Sequence, residues 1–271
     1  MDVHPTAIID PAAQLGQGVR VGPYAVIEGG ARIGDGCTIE AHAVITAHVV
    51  MGRDNVVGHG AVIGGDPQDF AFRPEVRSEV RIGDGNRIRE HCTIHRGTAE
   101  GSVTVLGNRC FLMAGAHLGH NARVGDHVIL ANNVALGGHV VVEDRAFLGG
   151  GCSFHQYIRV GRLAICQGLS GFSKDLPPYT IGVEINGVAG LNMVGMRRAG
   201  FTPEQRSEIK EAFALLYRRG LNTAQALAAA RERTWGPEAT AFFDFVAAAK
   251  KRGICGVLRT SVAGRAAEPA D

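Results

Sequence analysis

What the chain has little of narrows its possible roles. Aromatic residues make up only 6% of the 271, against 38 Gly, a balance that suits many tight corners and a thin core of small aliphatic side chains. The formal net charge is only +2, so the molecule has no overall electrostatic signature for nucleic acid, and nucleic acid is not an expected partner. No stretch reaches the roughly 18 consecutive apolar residues of a membrane span, which argues against stable membrane insertion. The six Cys, at 37, 92, 110, 152, 166 and 255, include no C-x-x-C pair and read as reduced thiols. Asp2 and His4 precede the first apolar residues and no signal-like apolar region follows, so the expected location is cytoplasmic.

What is present is a period of six. Aliphatic residues recur at Leu15, Val21, Ile27, Ile33, Ile39, Ile45, Met51, Val57 and Ile63, again at Ile82, Ile88 and Ile94, and again from Leu106 through Leu118, Leu136 and Phe154 to Cys166. Gly often follows, as at Gly16, Gly22, Gly119 and Gly137, and is expected to help the chain turn. Neither a helix nor an ordinary strand has this period. A hexapeptide-repeat solenoid does, an all-β left-handed parallel β-helix in which each hexad supplies a short strand and a corner. Three hexads close one triangular coil, so residues eighteen apart stack, with coils separated by about 4.8 Å. Each coil buries its apolar side only by stacking on the next.

Two segments interrupt the ladder, residues 65–81 and 97–105, and such excursions are common binding elements. After Cys166 the repeat decays through Pro177 and Pro178. From Thr202 the pattern is helical: Thr202 and Gln205 form a capping box with Pro203 at the first turn, and Ile209, Phe213, Leu216 and Tyr217 give an apolar stripe. Asn222 with Gln225 starts a second helix, and Pro237 opens a third carrying Phe242, Phe243, Phe245 and Val246. The expected organisation is a β-helix domain over 1–190, a small α-helical C-terminal domain over 191–258, and a frayed tail over 259–271.

The chemistry concentrates in histidine, of which there are 11. Counting by eighteen puts His120 below Gly138 and Gly138 below Gln156, with His139 and His155 beside that column and His117 one segment before it. An imidazole near its ordinary pKa is a good general base at neutral pH, and a backbone N–H such as that of Gly138 can serve an oxyanion. A metal site is the competing reading, but His91-x-x-x-His95 and His117-x-x-His120 have no carboxylate or Cys cluster at zinc spacing, so neither a metal nor another cofactor is expected.

The chain resembles the UDP-N-acetylglucosamine O-acyltransferases of lipid A synthesis over nearly its whole length. The resemblance is carried by Asp66-Pro-Gln-Asp69, Ile94-His-Arg-Gly-Thr98, Ala116-His-Leu-Gly-His120, Leu130-Ala-Asn-Asn133, Gly137-Gly-His139, His155-Gln156, Asp175-Leu-Pro-Pro-Tyr179, and the stretch from Gly190-Leu-Asn-Met193 through Arg197 and Arg198 to Phe201. It implies transfer of a (3R)-hydroxyacyl group from acyl carrier protein to the glucosamine 3-position of a UDP-amino-sugar. His120 matches the family's general base and the N–H of Gly138 its oxyanion donor. Asp69, His95, His117, His139, His155, Gln156, Asn192, Arg197 and Arg198 fall at or beside positions that bind substrate or support the site, and Gly168 matches a position that helps set acyl chain length. The family is a homotrimer with sites between subunits.

Three positions depart from the family pattern. Asn121 stands where an Asp usually follows the base; Asn still accepts a hydrogen bond from imidazole but adds no charge. Ala71 replaces a substrate-binding Lys, with Arg73 and Arg77 the nearby cations, and Val194 stands where Glu is common. These departures keep two alternatives open: a hexapeptide acyltransferase with a different nucleotide sugar or an acyl-CoA donor, and a weakly active binding relative.

Overall fold

The computed structural model describes residues 2–258. The expected frayed tail after 258 lies outside the described residues. The repeat builds a left-handed parallel β-helix of triangular cross-section. Among the described residues its three faces are sheets of twelve, nine and eight strands, most only two residues long. The eighteen-residue register is explicit: on the second face His117 pairs with Ala135 and Ala135 with Ser153, while Arg123, Val141 and Arg159 stack on the third. The aliphatic residue of each hexad points inward, and Ile39, Ile45, Ile63, Leu112, Leu118, Leu136 and Leu148 are fully buried.

The glycines beside the aliphatic residues have a different cause from the expected one. Apart from Gly64 (φ 89°), they are not the left-handed turn residues. At Gly119 a Cβ would stand 2.7 Å from the Leu136 carbonyl oxygen of the next coil, so glycine there permits the coils to approach. The left-handed turn comes two residues later, and at the site edge side chains occupy it: Asn121 (φ 62°), His139 (φ 60°) and Tyr157 (φ 67°). Asn and His tolerate this conformation better than most residues.

Both interruptions leave the prism at one edge, between the second and third faces. The first runs from the strand Val62–Gly65 to Glu79–Ile82, and the second from Thr93–His95 to Val103–Leu106. The solenoid then continues to Phe172, with an antiparallel hairpin of Thr180–Val183 and Gly187–Leu191 closing the first face. Among the described residues four helices follow: α1 (Met193–Arg198), α2 (Pro203–Tyr217), α3 (Thr223–Ala230) and α4 (Pro237–Ala247). The capping boxes at Thr202 and Asn222 are both formed. The hairpin and α1 have no counterpart in the sequence reading. Nor does the strand Gly256–Val257, which pairs back onto Gly187–Val188. Phe213 and Tyr217 of α2 pack against the last coils, and the Tyr217 hydroxyl donates to the Cys255 carbonyl at 2.8 Å, so the helices cover the C-terminal end of the prism.

Candidate active site

The edge carrying both excursions also carries the histidines. His120 is only 8% exposed. Its ring lies over Gly138, where a Cβ would come within 2.4 Å of Cε1 and Nε2. The neighbouring turn amides are used between coils: the His139 N–H donates to the His120 carbonyl at 2.9 Å and the Tyr157 N–H to the Gly138 carbonyl at 3.0 Å. The N–H of buried Gly138 itself has no partner among the described residues. It is a donor held ready beside an imidazole.

Asn121 sets the tautomer of that imidazole. Its Oδ1 accepts from the Thr98 N–H at 3.1 Å and the Thr98 hydroxyl at 3.0 Å, and lies 3.0 Å from His120 Nδ1. A backbone N–H can only donate, so the amide atom facing Thr98 is oxygen, and the Nδ1 that meets the same oxygen must carry a hydrogen. The Nε2 lone pair is then free to take a proton. The Asn121 N–H is fixed in turn by the hydroxyl of buried Thr104 at 2.7 Å.

Three more imidazoles lie around His120. His95 meets His117 edge-on at 4.7 Å between ring centroids, and His117 Nδ1 shares a hydrogen bond of 2.7 Å with the Thr93 hydroxyl. His139 meets His120 edge-on at 5.2 Å and stacks on Tyr157 at 4.5 Å. Burial, reinforced by His117 and His120, pushes His95 down to about 4. Burial, followed by the charge of His120, also lowers His117 and His139. At neutral pH these three are uncharged hydrogen-bonding groups. The described residues contain no group of three or more His, Cys, Asp or Glu placed to hold a metal ion.

The remaining candidates divide by edge. Asp69 is exposed on the first excursion and accepts the Ala71 N–H at 2.9 Å; Ala71, Arg73 and Arg77 are exposed beside it. Gln156 is exposed one coil beyond Gly138, next to exposed His155, whose Nδ1 lies 3.2 Å from the Gln156 carbonyl. Gly168 sits at the edge between the first and second faces, where a Cβ would meet the Gly150 carbonyl oxygen at 3.1 Å. Asn192 caps α1, accepting from the Gly195 N–H at 2.9 Å and donating to the Leu163 carbonyl at 2.9 Å, so its amide is committed within the protomer. That contact puts α1, with exposed Arg197 and Arg198 at its end and exposed Val194, at the third edge. One protomer does not bring these three residues to His120. Thr104 and Tyr157 have no place in the sequence reading, and Thr98 enters it only as the last residue of the Ile94–Thr98 motif, without a role; counting eighteen on from His139 reaches Tyr157.

Comparisons with known proteins agree with this architecture. A model described as bacterial transferase hexapeptide (six repeats) matches residues 12–47, 30–65 and 104–138, and one described as UDP N-acetylglucosamine O-acyltransferase, domain 2, matches 175–255. The acyl-[acyl-carrier-protein]--UDP-N-acetylglucosamine O-acyltransferase of Paraburkholderia xenovorans is 46% identical over 85% of this chain and 88% of its own. That of Halorhodospira halophila is 47% identical over 83% and 87%. The crystal structure of the Francisella novicida UDP-N-acetylglucosamine acyltransferase superposes with a TM-score of 0.89 at 35% identity, covering 94% of both chains. The Campylobacter jejuni enzyme gives 0.89 at 33%, covering 95% and 100%. With its hexapeptide prism, its helical cap and relatives this similar over most of their length, the chain belongs to the UDP-N-acetylglucosamine O-acyltransferase family.

Proposed function

We propose that this protein moves a (3R)-hydroxyacyl group from acyl carrier protein to the glucosamine 3-position of UDP-N-acetylglucosamine, the first step of lipid A synthesis. The observation that carries the reading is the pairing of a base with an oxyanion donor: His120, with Nε2 left free by Asn121, against the unpartnered N–H of Gly138.

In the proposed reaction, Nε2 takes the proton of the acceptor hydroxyl as its oxygen attacks the thioester carbonyl. The tetrahedral oxyanion is met by the Gly138 N–H, a fixed donor that needs no reorganisation at the moment of reaction. Collapse breaks the C–S bond and expels the carrier thiolate, which recovers the proton from His120. No acyl-enzyme forms, so no nucleophilic Ser or Cys is required. Because Asn121 is neutral, the imidazolium gains a hydrogen bond but no counter-charge.

Surface features support the substrate assignment. Outward positions on the second face are small from Ala135 through Ser153 to Gly171, leaving a shallow track from the histidine edge towards Gly168. From Ala135 to Gly171 is two coil spacings, about 10 Å along the axis, a suitable run for part of an acyl chain. On the other side, a groove of about 820 Å³ begins at Asn121 and His139 and is rimmed by Arg123, Lys250, Lys251 and Arg252. These cations suit an acidic carrier. The separation of α1 from His120 within one protomer favours a homotrimer, in which Asn192, Arg197 and Arg198 of one subunit face the histidine edge of the next. The six buried, free thiols, and the absence among the described residues of any helix able to cross a membrane, accord with a cytoplasmic enzyme.

The test is to incubate purified protein with UDP-N-acetylglucosamine, or its 3-amino analogue, and (3R)-hydroxyacyl carriers of several lengths. Formation of the 3-O-acyl nucleotide, abolished in His120→Ala, is the expected result. A folded protein that acylates neither acceptor would overturn the reading, and exclusive use of the amine would reassign the acceptor.

A further inference from the structure

The side chain immediately after His95 has no role in the chemistry described above, yet it is one of the largest fully buried groups in the molecule. Arg96 is 2% exposed, and a guanidinium cannot shed its charge to ease burial. Its Nε donates to Asp66 Oδ1 at 2.8 Å, Nη2 to the Pro74 carbonyl at 2.8 Å and Nη1 to the Val76 carbonyl at 2.5 Å. Its plane lies against the Phe72 ring, 4.8 Å from the centroid. Its own N–H donates to the Gly65 carbonyl at 3.0 Å. All these contacts are to the first excursion, at its start, middle and end.

The end of the excursion is also tied to the second one, where the Arg77 N–H donates to Glu100 Oε2 at 3.0 Å and the Arg77 carbonyl accepts the Gly101 N–H at 2.8 Å; the stretch before it has little else to hold it. It contains no helix or strand between Gly65 and Glu79. Asp69, Phe70 and Ala71 at its tip are exposed, and its internal hydrogen bonds are local turns such as Phe72 N–H to the Asp69 carbonyl and Val76 N–H to the Arg73 carbonyl. Only Pro67 and Ser78 are buried, and the Ser78 hydroxyl donates to the Gly97 carbonyl at 2.6 Å, again to the segment around Arg96. Two residues on, Thr98 fixes Asn121. One short segment therefore holds the Asp69 loop and the base pair in register.

We propose that Arg96 is a positioning residue for the nucleotide sugar: by pinning the excursion through Asp66, Pro74 and Val76, it places Asp69 relative to the histidine edge. This rests on the reading that Asp69 contacts the sugar substrate. The expected consequence is a defect in substrate binding rather than in chemistry, because His120, Asn121 and Gly138 are held by other contacts.

The experiment compares Arg96→Lys, Asp66→Asn, Asp69→Ala and the Arg96→Lys/Asp69→Ala double variant. Lysine keeps the charge but cannot fork to three acceptors, so KM for UDP-N-acetylglucosamine is expected to rise about tenfold or more with kcat within about threefold. Asp66→Asn, altering a carboxylate more than half exposed, gives a smaller rise in the same direction and keeps the test alive if Arg96→Lys does not fold. The double variant should be no worse than Asp69→Ala, the non-additivity of two residues acting through one another. Amide hydrogen exchange over 66–78 should speed up in Arg96→Lys and Asp66→Asn, with the coils from 103 to 172 unchanged. Unaltered KM and unaltered loop exchange in folded variants would overturn the proposal, as would full additivity in the double variant. A wild-type protein without turnover would instead sink the functional reading, since the exchange measurement needs no activity.

Discussion

The ring of His120 occupies the space that a side chain at Gly138 would need, with a Cβ there falling 2.4 Å from both Cε1 and Nε2. The eighteen-residue coil sets the two residues one above the other, and the missing side chain lets the imidazole lie flat against the next coil. Base and proposed oxyanion donor are thereby fixed on the same backbone ladder.

Gly138→Ala should therefore push His120 out of place. Displacing a reacting group by about 1 Å costs on the order of 100-fold in rate, and that is the loss in kcat/KM expected here. Gly138 has an unexceptional φ, so the variant should fold, and calorimetry should show only a small fall in Tm. Activity within about threefold of wild type would mean that His120 can move without penalty, contrary to its proposed role.

Asn121 offers a gain-of-charge experiment. Asn121→Asp retains an acceptor for Thr98 and for His120 Nδ1 while adding a negative charge to balance the imidazolium. The rate should be maintained or raised, by up to about tenfold. Asn121→Leu removes the acceptor, frees the ring to adopt the other tautomer and strands the Thr98 N–H, so a loss of about 100-fold or more is expected. Steady-state kinetics on both variants decides the matter, and a large loss in the Asp variant would show that the site depends on a neutral amide.

Much of this site follows from arithmetic on the repeat. The period places His120, Gly138 and Gln156 in one column because strand register is set by an inward aliphatic residue in each hexad. The same arithmetic reaches Tyr157 from Asn121, but only once the left-handed corner position is recognised as a column of its own. That position was masked by the glycines two residues earlier, whose real constraint is the carbonyl of the next coil. The elements after Cys166 were less legible. The hairpin over 180–191 hides behind Pro177 and Pro178, and α1 is six residues long, too short for an apolar period to show. Its N-cap, Asn192, is committed to the Gly195 amide and the Leu163 carbonyl, contacts no local pattern announces.

The uncharged histidines make stability depend on pH. His95 is held at about 4 in the folded protein, below its ordinary 6.5, so the unfolded chain binds a proton more readily. Its contribution is present above about pH 6.5 and is lost as pH falls towards 4; fully lost, it amounts to on the order of 3 kcal/mol. His117 and His139, also lowered, act in the same direction. Tm should fall between pH 7 and pH 4, and His95→Gln should flatten that fall. An equally steep fall in the variant would assign the pH dependence to other groups.

The placement of α1 gives the last prediction. Arg198 stands at the edge between the third and first faces, and His120 at the edge between the second and third. If each site combines His120 of one subunit with Arg198 of its neighbour, two defective variants can rescue one another. His120→Ala and Arg198→Ala, co-expressed with separate affinity tags and purified through both, should be more active than either alone. Every cyclic trimer that carries both tags holds two copies of one variant and one of the other, and in either arrangement one of its three sites has both residues intact. That fraction of wild-type activity is the expected value, against near zero for His120→Ala alone and a raised KM for Arg198→Ala alone. Simply mixing the two purified parents without subunit exchange should give only the mean of their activities. If the co-assembled protein also gives only that mean, both residues act within one subunit, and the groove beside Asn121 would have to bind substrate without help from α1.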